Sequence, residues 1–383
     1  MLETGKAGPP KMLALTLAAQ LIAADASARE APPPFAEWGL EAIEIIRRDL
    51  YLSEKSLYAD KMTDDGPSGP AFMWGCGVML SALNGAAAVD PSYRPWLVEY
   101  VHALERYWSE EGPVPGLDVL PTPKPVDRYY DDNAWVVIAL VESADLLGGE
   151  ESAHALDFAQ RTMDYVLSGE DATLGGGIYW RESDKASKNT CSNSPSAVAA
   201  YLLYQATGDD GYRDAGDRLL GWTLQRLQDP ADGLMWDNIA VDGSIEKTKW
   251  SYNTALTIRA LLLAADTGSG LGTPAALRTE ASRMADAAIE YWIDPETGAI
   301  DDGAAFAHLL AEALLVAAGS LEEPRYRDAA EGALVWLREH GAGPGGIYPG
   351  RWSEETLEPR SEWSLMDQAS AARGFLVGGN DGS

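Results

Sequence analysis

Apolar residues recur along most of the chain at intervals of three and four, which is the period of an α-helix packed on one side. From Phe35 onward, segments rich in Gly, Pro and Asp divide this pattern into twelve stretches of helical length. No convincing alternation of apolar and polar residues indicates a β-strand, and residues 177–180 and 345–348 fit short extended loop segments. The sequence predicts an all-α protein with helices near residues 36–52, 70–88, 93–108, 132–148, 150–168, 191–207, 210–228, 249–268, 274–292, 304–318, 324–340 and 364–377.

The predicted helices alternate between two kinds. The first member of each pair often carries charge, as in residues 212–218, whereas the second is apolar on nearly all sides, as in residues 134–147. A helix that is apolar on all sides is buried, so six exposed and six buried helices predict two concentric rings. The pairs recur roughly every 50–65 residues, which is typical of an array. These features predict one (α/α)6 barrel over residues 35–383.

The links between the predicted helices are unequal in length. Links that lead into the buried helices are long and rich in Gly, Trp and Asp, whereas links that leave them are short. The long links therefore meet at one end of the barrel, above the N-termini of the inner helices. Because loops on a rigid scaffold commonly carry function, we expect a site at this rim. The long links are residues 53–69, 109–131, 169–190, 229–248, 293–303 and 341–363.

Asp131 and Asp132 are adjacent at the start of the fourth predicted helix, on the same rim. Adjacent carboxylates repel each other, but the free N–H groups of a helix N-terminus favour negative charge. An N-cap at Asp131 followed by an acidic first turn is one interpretation. The other is glycoside cleavage, in which one carboxylate attacks or orients and the second donates a proton, among aromatic residues.

Further polar and aromatic residues are predicted near this rim. Taken singly, Asn193 and Asp367 fit ordinary helix caps, and Trp74 fits packing in the barrel wall. As a set they are better explained by a carbohydrate cleft, because amides bind hydroxyl groups and indole rings stack on sugar rings. The residues predicted to bind substrate are Trp74, Tyr130, Asn133, Asn193, Trp236, Asp237, Tyr252, Asn253 and Asp367.

The composition narrows the range of partners. With 59 acidic and 29 basic residues, the chain has a net charge of −30. This argues against nucleic acids and anionic membrane surfaces, which bind clustered Lys and Arg. Thirteen Trp and 16 Tyr against five Phe favour surfaces with a flat apolar face and a polar edge. We therefore expect a neutral sugar partner, no nucleic acid partner, no stable membrane insertion and a monomer.

The Cys and His residues do not predict a metal centre. Cys76 and Cys191 are too few for a disulfide framework or a four-thiolate site, and buried free thiols are expected. The four histidines have no ligand spacing, and no phosphate-binding loop, dinucleotide fingerprint or serine elbow is present. No metal and no organic cofactor are expected. A second acid pair, Asp301-Asp302, is interpreted as a turn.

Residues 1–34 are predicted to be a poorly ordered leader outside the barrel. Residues 12–28 are largely apolar, follow Lys11 and end in Ala-Ser-Ala, as in a short secretory signal. Gln20 and Asp25 interrupt the apolar run, so an amphipathic helix or a disordered leader is an equal alternative. The first reading predicts an extracellular or cell-envelope protein, and the second a cytoplasmic one.

Several motifs together resemble glycoside hydrolase family 76, the α-1,6-mannanases. Their order and spacing match over roughly residues 60–260, and the C-terminal third matches loosely. Where the family often has Tyr-Asn-Gln-Gly, residues 252–255 are Tyr-Asn-Thr-Ala, which affects the expected subsites more than the reaction. The matching motifs are residues 130–135, 175–180, 188–193, 204–209, 232–237 and 251–253.

The resemblance implies an (α/α)6 barrel and retaining, endo-acting cleavage of α-1,6-mannoside bonds in mannan. It implies that Asp131 is the nucleophile, and that Asp132 is the general acid and then the base that activates water. The helix N–H groups are expected to keep Asp131 ionised. Burial and repulsion from Asp131 are expected to raise the pKa of Asp132 so that it holds a proton.

Other activities remain open on the sequence alone. An exo-α-mannosidase or a transglycosylase would use the same scaffold, with residues 109–131 or 341–363 closing one end of the cleft. An unsaturated glucuronyl hydrolase or a sugar epimerase also fits a six-hairpin barrel, although an epimerase relies on histidines, which are sparse here. A non-catalytic glycan-binding protein would keep the aromatic residues and lose an acid, whereas both acids are present.

Overall fold

The computed structural model describes residues 33–122 and 127–379. The signal-like segment at residues 12–28, and all but the end of the predicted leader, lie outside the described residues. Twelve α-helices account for most of the described chain, which confirms the all-α prediction. They are α1 (Phe35–Leu50), α2 (Met73–Val89), α3 (Arg94–Leu104), α4 (Tyr130–Leu146), α5 (Gly149–Leu167), α6 (Thr190–Thr207), α7 (Asp210–Leu227), α8 (Ser251–Thr267), α9 (Pro274–Trp292), α10 (Ala304–Leu321), α11 (Pro324–Trp336) and α12 (Leu365–Gly378).

The even-numbered helices form a closed inner ring. Each packs against the next one, and α12 packs against α2 to complete the circle. Their side chains are buried on nearly all sides, as expected of helices without a polar face. By length and composition α10 is apolar enough to cross a membrane, but 67% of its apolar window is buried inside the protein. That composition follows from its place in the ring.

The odd-numbered helices surround this ring. Each packs most extensively on the even-numbered helix that precedes it, and α1 packs on α12. The short links explain why an outer helix packs on the inner helix before it, because a connection of a few residues keeps antiparallel helices side by side. The two rings together form the predicted (α/α)6 barrel. One end of α11 differs from the prediction, since residues Leu337–Gly341 form a π-helical turn instead of continuing the α-helix.

The links contain short strands that the sequence did not predict. The ten strands among the described residues have two or three residues each, too few to produce a visible alternation of apolar and polar residues. All pairs are antiparallel, in the orders β1-β2, β10-β3-β4, β5-β6 and β7-β8-β9. The strands are β1 (Tyr51–Leu52), β2 (Leu57–Tyr58), β3 (Lys61–Thr63), β4 (Gly66–Pro67), β5 (Trp108–Ser109), β6 (Gly116–Leu117), β7 (Ser187–Asn189), β8 (Asn238–Ala240), β9 (Ile245–Glu246) and β10 (Trp363–Ser364).

Four long links are fastened to the following inner helix in the same way. The side chain of the fourth helical residue hydrogen-bonds the backbone of an apolar residue in the link. The amide of Asn133, for example, accepts from the N–H of Leu117 at 2.8 Å and donates to its carbonyl at 3.0 Å. We call these four contacts the link anchors. They pair Asn133 with Leu117, Asn193 with Ile178, Thr254 with Met235, and Gln368 with Tyr348.

Candidate active site

A cavity of about 830 Å³ lies at the rim where the long links meet. Its floor is made by the second or third residue of every inner helix. The links supply the walls, with Tyr129, Trp180 and Asn189 among them. The helix N-termini therefore bring a carboxyl pair and several aromatic rings to one place. The floor residues are Trp74 of α2, Asp131 and Asp132 of α4, Cys191 of α6, Tyr252 of α8, Phe306 of α10 and Met366 of α12.

The Asp131 carboxyl is almost enclosed and is held by three donors. Its Oδ2 accepts hydrogen bonds from Trp180 Nε1 at 3.0 Å and from the Cys191 thiol at 3.3 Å. Its Oδ1 accepts the backbone N–H of Asp132 at 3.0 Å. Burial raises the pKa of Asp131 to about 6, although the Cys191 thiol, the Asp132 N–H and the Trp180 indole all lower it. These donors fix the carboxylate and favour its ionised form.

The Asp132 carboxyl lies in the same cavity but in a different environment. The main influences on the pKa of Asp132 all raise it. Burial, then the negative charge of Asp131 and then that of Asp127, raise the pKa of Asp132 well above its usual range. Two neighbouring carboxyl groups in a poorly solvated site cannot both ionise readily, so the more acidic one loses its proton first. Asp132 is therefore the more basic member of the pair, the one that takes up a proton first.

Aromatic rings form a continuous group on the cavity floor. Tyr252 stacks on Phe306 with centroids 4.4 Å apart and 16° between the planes. Trp74 stacks on Phe306 at 5.7 Å, and Trp135 stacks on Tyr252 at 6.4 Å. Trp250 contacts Phe306 at 5.3 Å. Such rings offer apolar faces to a sugar ring beside the carboxyl pair.

Asp237 is a third carboxyl group in the cavity. It accepts a hydrogen bond from Asn238 Nδ2 at 2.9 Å. Burial raises its pKa, while Asn238 and the neighbouring Asn253 amide lower it in part. A carboxyl group in this position can accept hydrogen bonds from the hydroxyl groups of a bound sugar.

A buried lysine shapes the link that carries Trp180. The Lys188 ammonium group has no exposed surface and lies 2.7 Å from Asp171 Oδ1, 2.9 Å from Thr173 O and 2.8 Å from Gly176 O. These contacts pull the segment before Trp180 into a compact turn. The sequence of this link thus determines where the indole donor to Asp131 is placed.

Five residues predicted to take part in the site line the cavity: Trp74, Asp131, Asp132, Asp237 and Tyr252. Two others, Asn133 and Asn193, do not, because their amides are used as link anchors and neither is exposed. They position the walls of the cavity instead of contacting its contents.

The remaining predicted residues also lie outside the cavity lining. Tyr130 is 1% exposed and stacks on Tyr165 at 5.0 Å. Trp236 donates its indole N–H to Asp229 at 3.1 Å. Asn253 is buried beside Asp237. The backbone N–H of Asp367 donates to the Ser364 hydroxyl at 3.1 Å, which is a helix-cap contact.

The prediction omitted several cavity residues, among them Trp135, Trp180, Cys191 and Phe306. The first three lie within motifs that the sequence had already singled out, at residues 130–135, 175–180 and 188–193. Phe306 is in the first turn of an inner helix, the same position as Asp132. Position in the first turn of a buried helix was the signal that could have found Cys191 and Phe306, and the motifs themselves were the signal for Trp135 and Trp180.

The second acid pair has a structural role. Asp302 is 3% exposed and accepts the backbone N–H of Ser251 at 2.9 Å, at the start of α8. Asp301 is outside the cavity and pairs with Arg351 at 2.9 Å. The pair therefore joins this segment to the start of α8 and to the link that contains Arg351, away from the cavity lining.

Comparison with known proteins adds to this geometry. The family model described as Glycosyl hydrolase family 76 matches residues 51–374. The chain belongs to glycoside hydrolase family 76. It is therefore a glycoside hydrolase with a helical barrel, as the motifs had implied. No curated protein matches the chain.

Solved structures of family 76 proteins have the same fold. A GH76 α-mannanase from Bacteroides thetaiotaomicron is 26% identical, with a TM-score of 0.83 over 90% of this chain and 95% of that chain. An inactive double Asp-to-Asn variant of an α-1,6-mannanase from Salegentibacter sp. HEL1_6, in complex with α-1,6-mannotriose, is 22% identical. Its TM-score is 0.74 over 90% of this chain and 98% of that chain. Dfg5 from Chaetomium thermophilum, in complex with glucosamine, is 15% identical with a TM-score of 0.67 over 81% of each chain.

Proposed function

We propose that this protein is a monomeric endo-acting hydrolase that cleaves α-1,6-mannosidic bonds in mannan-type polysaccharides with retention of configuration. The observation that carries the proposal is the carboxyl pair at the N-terminus of α4, inside a cavity floored by aromatic rings. The similar α-mannanase from Bacteroides thetaiotaomicron and the α-1,6-mannanase of Salegentibacter support the substrate class. In the latter, the inactive variant lacks two adjacent aspartates.

In the first step, a carboxylate oxygen of Asp131 attacks the anomeric carbon of a bound mannose residue. The bond between that carbon and the glycosidic oxygen breaks, and Asp132 gives its proton to the departing oxygen. A covalent glycosyl-enzyme results, with its ester on Asp131. Trp180 and Cys191 hold Asp131 for this attack through their hydrogen bonds to Oδ2.

In the second step, the roles of the pair change. Asp132, now ionised, accepts a proton from a water molecule, and the water oxygen attacks the anomeric carbon. The ester bond to Asp131 breaks, which returns both carboxyl groups to their starting protonation states. Two displacements at one carbon restore its configuration. Retaining enzymes hold their two carboxyl groups about 5–5.5 Å apart. Because neighbouring helical residues point in different directions, the bound sugar has to bridge the pair at the first turn of α4.

The proposal is tested by incubating the protein with unbranched α-1,6-mannan and following the products by chromatography and NMR. We expect a mixture of oligosaccharides in the first minutes and a newly formed α-anomer before mutarotation. Mannose as the sole early product would support exo action instead. An initial β-anomer would contradict the double displacement, and the absence of any cleavage would contradict the substrate assignment. The Asp132→Asn variant is the control for contaminating activity.

The thiol contact to Asp131 makes a separate prediction. Cys191→Ala removes a donor that favours the ionised carboxylate, so the pKa of Asp131 rises above its value of about 6. The acid limb of the kcat/KM profile should move to higher pH by about half a unit to one unit. Cys191→Ser keeps a donor at this position and should leave the limb close to that of the wild type. An unshifted limb in the alanine variant would show that the thiol does not influence the titrating group.

A further inference from the structure

Two of the four histidines meet on the outer ring, outside the cavity. His102 of α3 and His154 of α5 stack with ring centroids 4.3 Å apart and 21° between their planes. Each is also close to a glutamate of the other segment. His102 Nε2 lies 2.7 Å from Glu151 Oε2, and His154 Nε2 lies 3.5 Å from Glu105 Oε1. Four potential ligand side chains thus converge between two neighbouring outer helices.

The arrangement is reciprocal along the chain. Glu105 follows His102 by three residues, and His154 follows Glu151 by three residues. This spacing places both members of each pair on one side of a helical turn. The two histidines are far apart in the sequence, so no ligand spacing within one segment links them. The end of α3 lies next to the start of α5, which brings the two side chains together.

The donor atoms form a set suited to a transition metal. One ligand atom from each of His102, Glu105 and His154 lies within 4.8 Å of the other two. Two imidazole nitrogens and one carboxylate oxygen are a common Zn²⁺ ligand set, whereas Ca²⁺ and Mg²⁺ prefer oxygen ligands alone. Glu151 adds a second carboxylate beside His102, in the position of a group that orients a metal-bound imidazole or completes its shell.

The side chains are partly exposed and able to adjust, although the His154 Nε2 atom itself is buried without a hydrogen-bond partner. Their exposed fractions are 46% for His102, 42% for Glu105 and 26% for His154. Small rotations of such side chains are sufficient to contract the set around an ion with bond lengths of about 2 Å. Arg161 lies 3.6 Å from Glu105 and also pairs with Asp157 at 2.8 Å, so it has an alternative partner when Glu105 binds a cation.

We propose that His102, Glu105 and His154, with Glu151 beside them, form a Zn²⁺ site that joins α3 to α5. The site is independent of glycoside cleavage. Its structural effect is local, because the two helices flank the start of the link at residues 105–129 that leads to Asp131. An ion bound here would add to the contacts between α5 and the segment that follows α3, which include Trp108 on Phe158 and Arg161 on Trp108.

Calorimetric titration of the untagged, metal-free protein with ZnCl2 tests the site. We expect one ion per chain with a Kd on the order of 1–10 μM, and a rise in Tm of about 2–5 °C with Zn²⁺ at roughly 100 times the Kd. His102→Ala and His154→Ala should each weaken binding at least about tenfold. His340→Ala is the matched control, because His340 pairs with Glu355 at 3.7 Å without a second histidine. It should bind Zn²⁺ as the wild type does.

Two results would overturn the proposal. One is the absence of saturable binding at Zn²⁺ concentrations up to about 100 μM, and the other is unchanged affinity in the His102→Ala/His154→Ala double variant. Circular dichroism verifies that each variant is folded. If an alanine variant is not folded, His102→Gln and His154→Gln replace it, since they retain side-chain volume at an exposed position and lack an imidazole.

Discussion

Asp132→Asn is expected to lower kcat on α-1,6-mannan by about 10²–10⁴-fold, because the amide cannot transfer a proton to the departing oxygen. Asp131→Asn should reduce turnover at least as much, since no ester forms without the carboxylate. Initial rates of reducing-end formation with each purified variant give the comparison. Activity close to that of the wild type in either variant would contradict the assignment of that residue.

Added azide separates the two roles. In the Asp131→Gly variant the nucleophilic carboxylate is missing, and azide takes its place. A single displacement by azide inverts the anomeric carbon and gives a β-mannosyl azide. In Asp132→Gly, a substrate with a good leaving group still forms the ester on Asp131, and azide then gives the α-mannosyl azide by a second displacement. The opposite pattern of anomers would exchange the two assignments while leaving the family assignment intact.

The control for these variants is Asp301→Asn. Asp301 also belongs to a pair of adjacent aspartates, but it is exposed and bound to Arg351, outside the cavity. Its substitution should leave kcat unchanged.

Asp132→Asn should also raise the thermal midpoint at neutral pH. A carboxyl group whose pKa is higher in the folded state destabilises that state above the unfolded pKa, and the neutral amide removes this effect.

Arg373→Met is expected to destabilise the protein by about 3 kcal/mol, because it leaves the buried Glu312 carboxylate with one of its two arginine partners. Arg373 is 7% exposed on the inner helix α12. Its guanidinium group contacts Glu312 at 2.9 Å and Glu142 at 3.0 Å, and donates to the carbonyl of Ser81 at 3.0 Å. Arg259 adds a further contact to Glu312 at 2.9 Å. These side chains and the Ser81 carbonyl connect five of the six inner helices.

Urea unfolding at equilibrium, followed by circular dichroism, measures this effect through the midpoint and slope. The matched control is Arg325→Met, in which an exposed arginine on the outer ring loses its pairing with Asp286 at 3.1 Å. Exposed ion pairs contribute little, so this variant should change stability by less than about 1 kcal/mol. Equal effects of the two substitutions would show that burial of the network does not matter for stability.

The same network makes the protein sensitive to acid. Burial opposes ionisation of Glu312, but Arg259 and Arg373 outweigh it and hold its pKa at about 2. The resulting stabilisation is present above the unfolded pKa and is lost as the pH falls towards 2. Burial also lowers the pKa of His308, next to this network, to about 4. Since the unfolded histidine binds a proton below about 6.5, unfolding becomes easier from there downward.

The barrel could be predicted from the sequence because its inner and outer helices differ in a simple way. A helix such as α10 has no polar face and must be buried, whereas α7 carries charge along one side. The position of the carboxyl pair followed from the same pattern, since Asp131 and Asp132 begin a buried helix. The long links then indicated the functional end without any knowledge of their conformation.

The details of the links could not be predicted in this way. Strands of two or three residues leave no periodic signal, and the contacts of a polar side chain depend on which backbone group packs beside it. Asn193 is an example, since its position at the rim suggested sugar binding and its amide instead holds Ile178. The pairing of His102 with His154 depends on helix packing, which the separate sequence segments do not reveal.

The link anchors have a consequence for how such an enzyme diversifies. Each anchor joins one wall segment to the helix directly after it, through one side chain of that helix, as Gln368 does with Tyr348. A segment can accordingly be lengthened, shortened or exchanged between its anchor and its strand pairings with another link, such as β7 with β8, while the helix that follows keeps its place. Exchange of these links, in evolution or by protein engineering, can therefore change which branched polysaccharides fit the cavity while the catalytic residues keep their positions.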